Sequence, residues 1–134
     1  MRFTFEAKLE ALGGATERIT AALTEAGCPV KVLHKLLIAL DEIASNIIRY
    51  SGASNYTVDI EFPEDPDAVV IEFSDAGKAF NPLTEAPEPD VTKSCAEREI
   101  GGLGMFMVKR LMDNVSYRHE NGLNILTISK LRVV

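Results

Sequence analysis

The stretch that decides the fold is Leu-Asp-Glu-Ile-Ala-Ser-Asn-Ile-Ile-Arg-Tyr, residues 40–50. It closes a run in which Leu33, Leu36, Leu37, Leu40, Ala44 and Ile47 recur at three- and four-residue spacing. That period puts them on one face of a helix running from Pro29, which suits a first turn, through Ile48 to a stop at Ser51-Gly52. Glu42 and Asn46 are four apart, so they share a face one turn from each other, with Tyr50 continuing the row and Arg49 beside it. A carboxylate and an amide oxygen on a rigid face can hold a hydrated Mg²⁺ and activate a hydroxyl or water, since magnesium takes few protein oxygens and keeps phosphate and water as its other ligands. Taken alone, a polar outer helix face explains the same residues equally well.

Before this helix, RFTFEA alternates apolar and polar as a strand does, and Lys8 to Gly27 has helical spacing through Leu9, Leu12, Ile19, Leu23 and Ala26. After it, Tyr56 to Phe62 and Val69 to Phe73 read as neighbouring strands joined by turn chemistry at 63–67. From Ala76 to about Ile100 no period is evident, and Pro82, Pro87 and Pro89 interrupt the chain. Loops of that length are uncommon in a compact domain unless they act as lids or binding loops. Gly101 to Met112 turns helical, and Asn121-Gly122 marks a hairpin between Val115–His119 and Leu123–Leu131. The order is strand, helix, helix, strand, strand, long loop, helix, strand, strand. One sheet with helices on a single face is the simplest way to bury these stripes, and the strand–helix alternation of a doubly wound fold is missing.

A second cluster, Phe-Ser-Asp-Ala-Gly-Lys-Ala-Phe-Asn-Pro at 73–82, follows a strand directly. Asp75 at a strand's end can accept a hydrogen bond from an adenine amino group. Gly77 permits close backbone approach to a ring or sugar, and Phe80 suits packing under the following loop. Asp and Gly as plain turn formers account for it as well. A third cluster, Ile-Gly-Gly-Leu-Gly-Met-Phe-Met-Val-Lys at 100–109, puts glycines just ahead of a helix. Free N–H groups and the dipole at such a start favour phosphate. Neither a Walker loop nor a Rossmann fingerprint is present, and a tight turn with close helix packing is the simpler alternative.

Taken in order, Glu-x-x-x-Asn, Asp-x-Gly-x-x-Phe and Gly-Gly-Leu-Gly resemble the N, G1 and G2 boxes of the Bergerat (gyrase–histidine kinase–MutL) ATPase superfamily. The tail, Leu-Met-Asp-Asn-Val-Ser-Tyr (111–117) with Asn-Gly-Leu-Asn-Ile-Leu-Thr-Ile-Ser-Lys (121–130), is similar to its anti-sigma-factor serine/threonine kinase branch. The resemblance implies an α+β fold, a two-layer α/β sandwich of mixed, mostly antiparallel sheet with helices on one face, as a single domain over 1–134. It implies ATP and Mg²⁺ as ligands. Glu42 matches the general base, Asn46 the metal ligand, Asp75 the adenine-reading carboxylate and Gly77 the glycine beneath the base. Phe80 belongs to the same nucleotide site. Gly101, Gly102, Leu103 and Gly104 fall at the lid end, where glycines contact phosphates, and 82–100 correspond to the lid. The implied activity is phosphorylation of a STAS-domain anti-anti-sigma protein, with a sigma factor and a second copy of the chain as further partners.

The chain departs from that pattern at Tyr50, where the family often has His, and at Ile100, with Arg98 slightly upstream of where an Arg is common. These departures leave open a non-catalytic module that sequesters a partner and uses ATP only to order the lid. A histidine-kinase fragment fits less well, because no dimerising phosphoacceptor helix is evident and His34 falls within the apolar stripe.

Composition sets the outer bounds. The 134 residues are 46% hydrophobic and 25% charged, enough for one core and a solvated surface. A net charge of −6 argues against general nucleic-acid binding. The start lacks a signal-peptide stretch and no run is long enough to span a bilayer, so no membrane partner and a cytoplasmic location are expected. Cys28 and Cys95 are far apart without a CxxC and read as ordinary thiols. Glu85, Glu88, Asp90, Glu97 and Glu99 outnumber the bases around them, whereas Lys109, Arg110, Arg118, Lys130 and Arg132 dominate the C-terminal third, an asymmetry that favours an anion there, although a solvated face better explains most of these charges.

Overall fold

A computed structural model of the chain describes residues 1–85 and 102–132. The elements run β1 (Arg2–Glu6), α1 (Leu9–Glu25), α2 (Val30–Asn46), a π-helical turn (Ile47–Ser51), β2 (Asn55–Glu61), β3 (Ala68–Asp75), α3 (Pro82–Glu85), α4 (Gly102–Leu111), β4 (Asn114–Glu120) and β5 (Leu123–Leu131). The five strands form one sheet in the order β1-β2-β3-β5-β4, and every described pairing is antiparallel. This is the expected α+β arrangement, with the mostly antiparallel sheet antiparallel throughout its described part.

Strand alternation sorts the two faces. Tyr56, Val58 and Ile60 of β2, Val69, Ile71 and Phe73 of β3, and Leu126 and Ile128 of β5 are all buried. They lie across from one another, with Val58 opposite Phe73, Ile60 and Ile128 both opposite Ile71, and Leu126 opposite Phe73. The helices cover this face. Ile19 and Leu23 of α1 meet Leu36, Leu40 and Ile43 of α2 and Val108 of α4 in one continuous core. Full burial of each such side chain stabilises the fold by about 1.5–3 kcal/mol, so this layer is the main source of stability. Thr57, Asp59, Glu72 and Ser74, on the opposite face, remain partly exposed.

Two details of α2 differ from the sequence reading. The regular helix ends at Asn46, and the chain continues as one wider π turn before Gly52, at φ 74°, stops it. Such turns insert one residue per turn and occur mostly at functional sites. His34 is exposed, not part of the buried stripe. Val32 and Leu33, its neighbours in sequence, are the ones turned inward, because the helix places a residue about 100° from each neighbour. The hairpin fell where Asn121-Gly122 put it, and both residues have the positive φ, 53° and 76°, that a tight primed turn requires.

Candidate functional site

The sheet and α2 leave a cavity between them at one end of the molecule. Its lining comprises Ile43, Asn46, Ile47 and Ser51 from α2 and the π turn, Phe73, Asp75, Leu126, Asn124 and Tyr117 from the sheet, and Phe80 and Pro82 from the segment after β3. Asn46 of α2 and, from a second stretch about 30 residues later, Asp75 and Phe80 therefore share one cavity.

Asp75 is the last residue of β3 and only 6% exposed. Its Oδ1 accepts the Gly77 N–H at 2.9 Å and the Asn124 Nδ2–H at 3.1 Å. These donors fix the plane of the carboxyl group. The loop then turns sharply back. Ser51 O accepts the Lys78 N–H at 2.9 Å, and a Cβ built on Gly77 would stand 2.2 Å from that same oxygen. Among the described residues, then, what Gly77 accommodates is the backbone of the π turn, and the glycine clamps the end of α2 to the end of β3. Gly77→Ala is expected to lower stability by about 1–3 kcal/mol, because backbone on both sides must shift. Thermal or urea unfolding measures it.

Phe80 stacks on Tyr50 with ring centroids 5.0 Å apart and 25° between planes. Offset stacking of this kind adds about 0.5–1.5 kcal/mol beyond area burial. Tyr50 is thus engaged with the cavity wall. The short α3 is capped by Asn81, whose Oδ1 accepts the Leu83 N–H at 2.9 Å and whose N–H meets the Glu85 carboxylate. Lys109 of α4 donates to Leu83 O at 3.0 Å, tying α3 to α4.

Glu42 lies one turn before Asn46, outside the cavity lining, and faces the start of α4. A Cβ on Gly104 would stand 1.7 Å from Glu42 Cδ, so the helices approach there only because residue 104 has no side chain. Burial pushes the Glu42 carboxyl up; Arg49 opposes this and Asp41 adds to it. Among the described residues, neither Glu42 Oε1 nor Asn46 Nδ2 has a hydrogen-bond partner, although both atoms are buried. A buried polar atom left unpaired costs about 1–3 kcal/mol, so two together on one helix face mark a place built for a polar ligand. An acid and an amide are also a donor set suited to Mg²⁺ and phosphate, so the residues present fit that group.

Of the remaining candidates, Gly102 and Leu103 open α4. Gly101, Ile100, Arg98, Cys95 and most of the expected lid lie outside the described residues. The sequence reading missed the three other polar residues of the cavity, Ser51, Tyr117 and Asn124. Asn124 carried a signal, since it is the one amide in the otherwise apolar run Leu123–Leu126 and on the same strand face as Leu126 and Ile128.

The sequence pattern of the histidine kinase-like ATPase domain matches residues 5–130. The chain belongs to that family. Serine-protein kinase RsbW of Listeria monocytogenes serovar 1/2a is 26% identical over 113 residues, 81% of this chain and 72% of the relative. RsbW of Halalkalibacterium halodurans is 25% identical over 133 residues, 97% of this chain and 82% of the relative. Serine/threonine-protein kinase BtrW of Bordetella bronchiseptica is 25% identical over 96 residues, covering 70% and 67%. Two solved structures share the fold. The RsbU and RsbW domains of Rv1364c from Mycobacterium tuberculosis match with a TM-score of 0.66 at 14% identity, over 98% of this chain and 32% of that one. The SiaB-SiaC complex from Pseudomonas aeruginosa matches with a TM-score of 0.61 at 13% identity, over 98% and 89%. The three boxes and the tail thus lie within a histidine kinase-like ATPase domain, and these curated relatives are named serine- or serine/threonine-protein kinases. No helix among the described residues is long and apolar enough to cross a membrane.

Proposed function

We propose that this chain, as one domain over 1–134, is an ATP-dependent serine/threonine protein kinase whose substrate is a STAS-domain anti-anti-sigma protein. The observation that carries the reading is the pair of buried atoms Glu42 Oε1 and Asn46 Nδ2, unpartnered among the described residues, on the helix that also lines the cavity holding Asp75. In this reading Asp75 and Phe80 take the purine, with Gly77 holding the loop against the π turn. Asn46 holds Mg²⁺ and the lid-end residues 101–104 meet the phosphates. Bound Mg²⁺ offsets the charge of the transferring phosphoryl group. Glu42 accepts the proton of the substrate hydroxyl as its oxygen attacks the γ-phosphorus; the bond to the bridging oxygen breaks and ADP leaves. The upward push on its carboxyl suits a base working near neutral pH. Partners beyond the STAS protein are, by the family resemblance, a sigma factor and a second copy of the chain, and the location is the cytoplasm.

Incubation with a STAS-domain partner and γ-labelled ATP tests the reading. Label on the partner's serine or threonine is expected; ATP binding without transfer rejects the kinase. One observation favours a second reading, a nucleotide-responsive binding module. Tyr50, where the branch often has His, is stacked on Phe80. Partner capture that depends on nucleotide with no label transferred selects that alternative.

A further inference from the structure

The two helices that meet at Glu42 carry an unusual outer surface. On α2, Ile38, Lys35 and Lys31 stand four, seven and eleven residues before Glu42, so they share its side of the helix. On α4, Met107 lies three residues after Gly104, the residue that Glu42 abuts. The helices run in opposite directions. α2 ends at the cavity, whereas α4 starts against Glu42 and is followed by Asp113, whose N–H reaches Ser129 O toward the far end of β5. Ile38 and Met107 are therefore each about one turn from the Glu42–Gly104 contact, on the same stretch of the α2–α4 junction.

Apolar side chains stand open to solvent here: Ile38 is 47% exposed, Phe106 39% and Met107 36%. Arg110 lies over the Phe106 ring, 4.9 Å from its centroid. Among the described residues neither Arg110 nor Lys35 is in an ion pair. In a chain of net charge −6, the two helices expose Lys31, Lys109, Arg110 and, in part, Lys35 against one exposed acid, Asp41. Phe, Met and Arg are the residue types that interfaces gather, and an apolar centre with a charged rim is their usual layout. The basic rim calls for an acidic occupant. A second copy docked about a twofold axis would set Lys35 and Arg110 against themselves, which disfavours it. An anionic membrane matches the charge but gains nothing from lying beside Glu42. A protein substrate does, because its hydroxyl reaches a base only when the rest of the molecule is held close by.

We propose that the surface formed by Ile38, Phe106 and Met107, with Lys35 and Arg110 at its rim, is the docking site of the protein substrate, which meets it with an apolar patch bordered by carboxylates. The choice of occupant rests on the kinase reading above. The surface holds the substrate and takes no part in the chemistry, so its signature is substrate affinity and KM, not kcat.

The test is calorimetric titration of the STAS-domain protein of the labelling assay into wild type, Ile38→Ser, Phe106→Ser and the double variant Lys35→Glu with Arg110→Glu, each checked by thermal melting. All four side chains are at least partly exposed, so the fold is expected to persist. Each variant should bind the partner about tenfold or more weakly, the scale of an interface anchor, with ATP affinity unchanged. In transfer assays KM for the partner should rise while kcat stays within about twofold. The gap between the double variant and wild type should narrow at high salt. Leu131→Ser removes a comparably exposed apolar side chain, 43% exposed on β5, and should bind as wild type does. Wild-type partner affinity in the folded variants overturns the proposal, as does an equal loss in Leu131→Ser. Variants that lose binding to anionic phospholipid vesicles yet keep partner affinity also overturn it, in favour of a membrane. Weakened partner binding in the variants, with no transfer by wild type, fails the kinase reading and leaves the docking site standing.

Discussion

Glu42→Gln is expected to bind ATP about as well as wild type and to transfer phosphate 10²- to 10⁴-fold more slowly, roughly the contribution of a positioned general base. The substitution keeps the shape that fills the space over Gly104 and removes only the proton acceptor. Single-turnover transfer from labelled ATP to the STAS partner measures it. Undiminished transfer would remove Glu42 from the chemistry. The same variant has a stability signature with a defined sign. Burial raises the Glu42 pKa in the folded chain, so the folded state binds its proton more tightly than the unfolded state does. Wild-type stability therefore falls as pH rises from the ordinary glutamate value through the raised one. Glu42→Gln has no such loss. It should melt higher than wild type at neutral pH, with the gap closing as pH drops below the ordinary glutamate range. A gap that widens in acid contradicts the assigned burial.

Gly104→Ala is expected to abolish most transfer, on the order of 10²-fold, while leaving melting within a degree or two. A methyl group at this position would overlap the Glu42 carboxyl, 1.7 Å from Cδ and 1.9 Å from Oε2. That obstacle is the far end of a flexible side chain, so Glu42 swings aside at little energetic cost, and Ala is the better helix former by about 1 kcal/mol. The fold survives but the base is displaced, and small displacements of a catalytic group can cost about 10²-fold. The contrast with Gly77 is instructive. There the methyl group would meet the Ser51 backbone, which cannot swing away, so the expected loss is in stability. Transfer assays and melting on the two alanine variants separate these behaviours. A Gly104→Ala variant with full transfer would show that Glu42 has room the geometry denies it.

Much of this site could be read before folding because its parts lie on periodic elements. The stripe through α2 gave Glu42 and Asn46 their common face, and an apolar strand ending in Asp75 gave the other wall. What escaped was set by contacts distant in sequence. Asn124 meets Phe80, Lys78 and Asp75 across separations of 44, 46 and 49 residues, and only the β3–β5 pairing brings them together. Nothing in the spacing of Leu123–Leu131 says which strand it will lie beside. The π turn was hidden for a different reason. Ile47-Ile48-Arg49-Tyr50 fits a regular helix equally well, and the wider turn ends at Ser51, whose carbonyl accepts the Lys78 N–H from a segment distant in sequence. His34 was misplaced because one polar residue inside an apolar run takes its face from the exact phase of the helix, which the run alone does not fix.

The account depends on one cavity with a purine end at Asp75 and a metal-phosphate end at Asn46, with Glu42 one helical turn beyond it on α2. Calorimetric titration of the wild-type chain with ATP and with adenosine, each with and without Mg²⁺, tests this most directly. ATP should bind about tenfold or more tightly with Mg²⁺, while adenosine should bind weakly and show no response to the metal. ATP affinity indifferent to Mg²⁺, or no binding of either ligand, would contradict it.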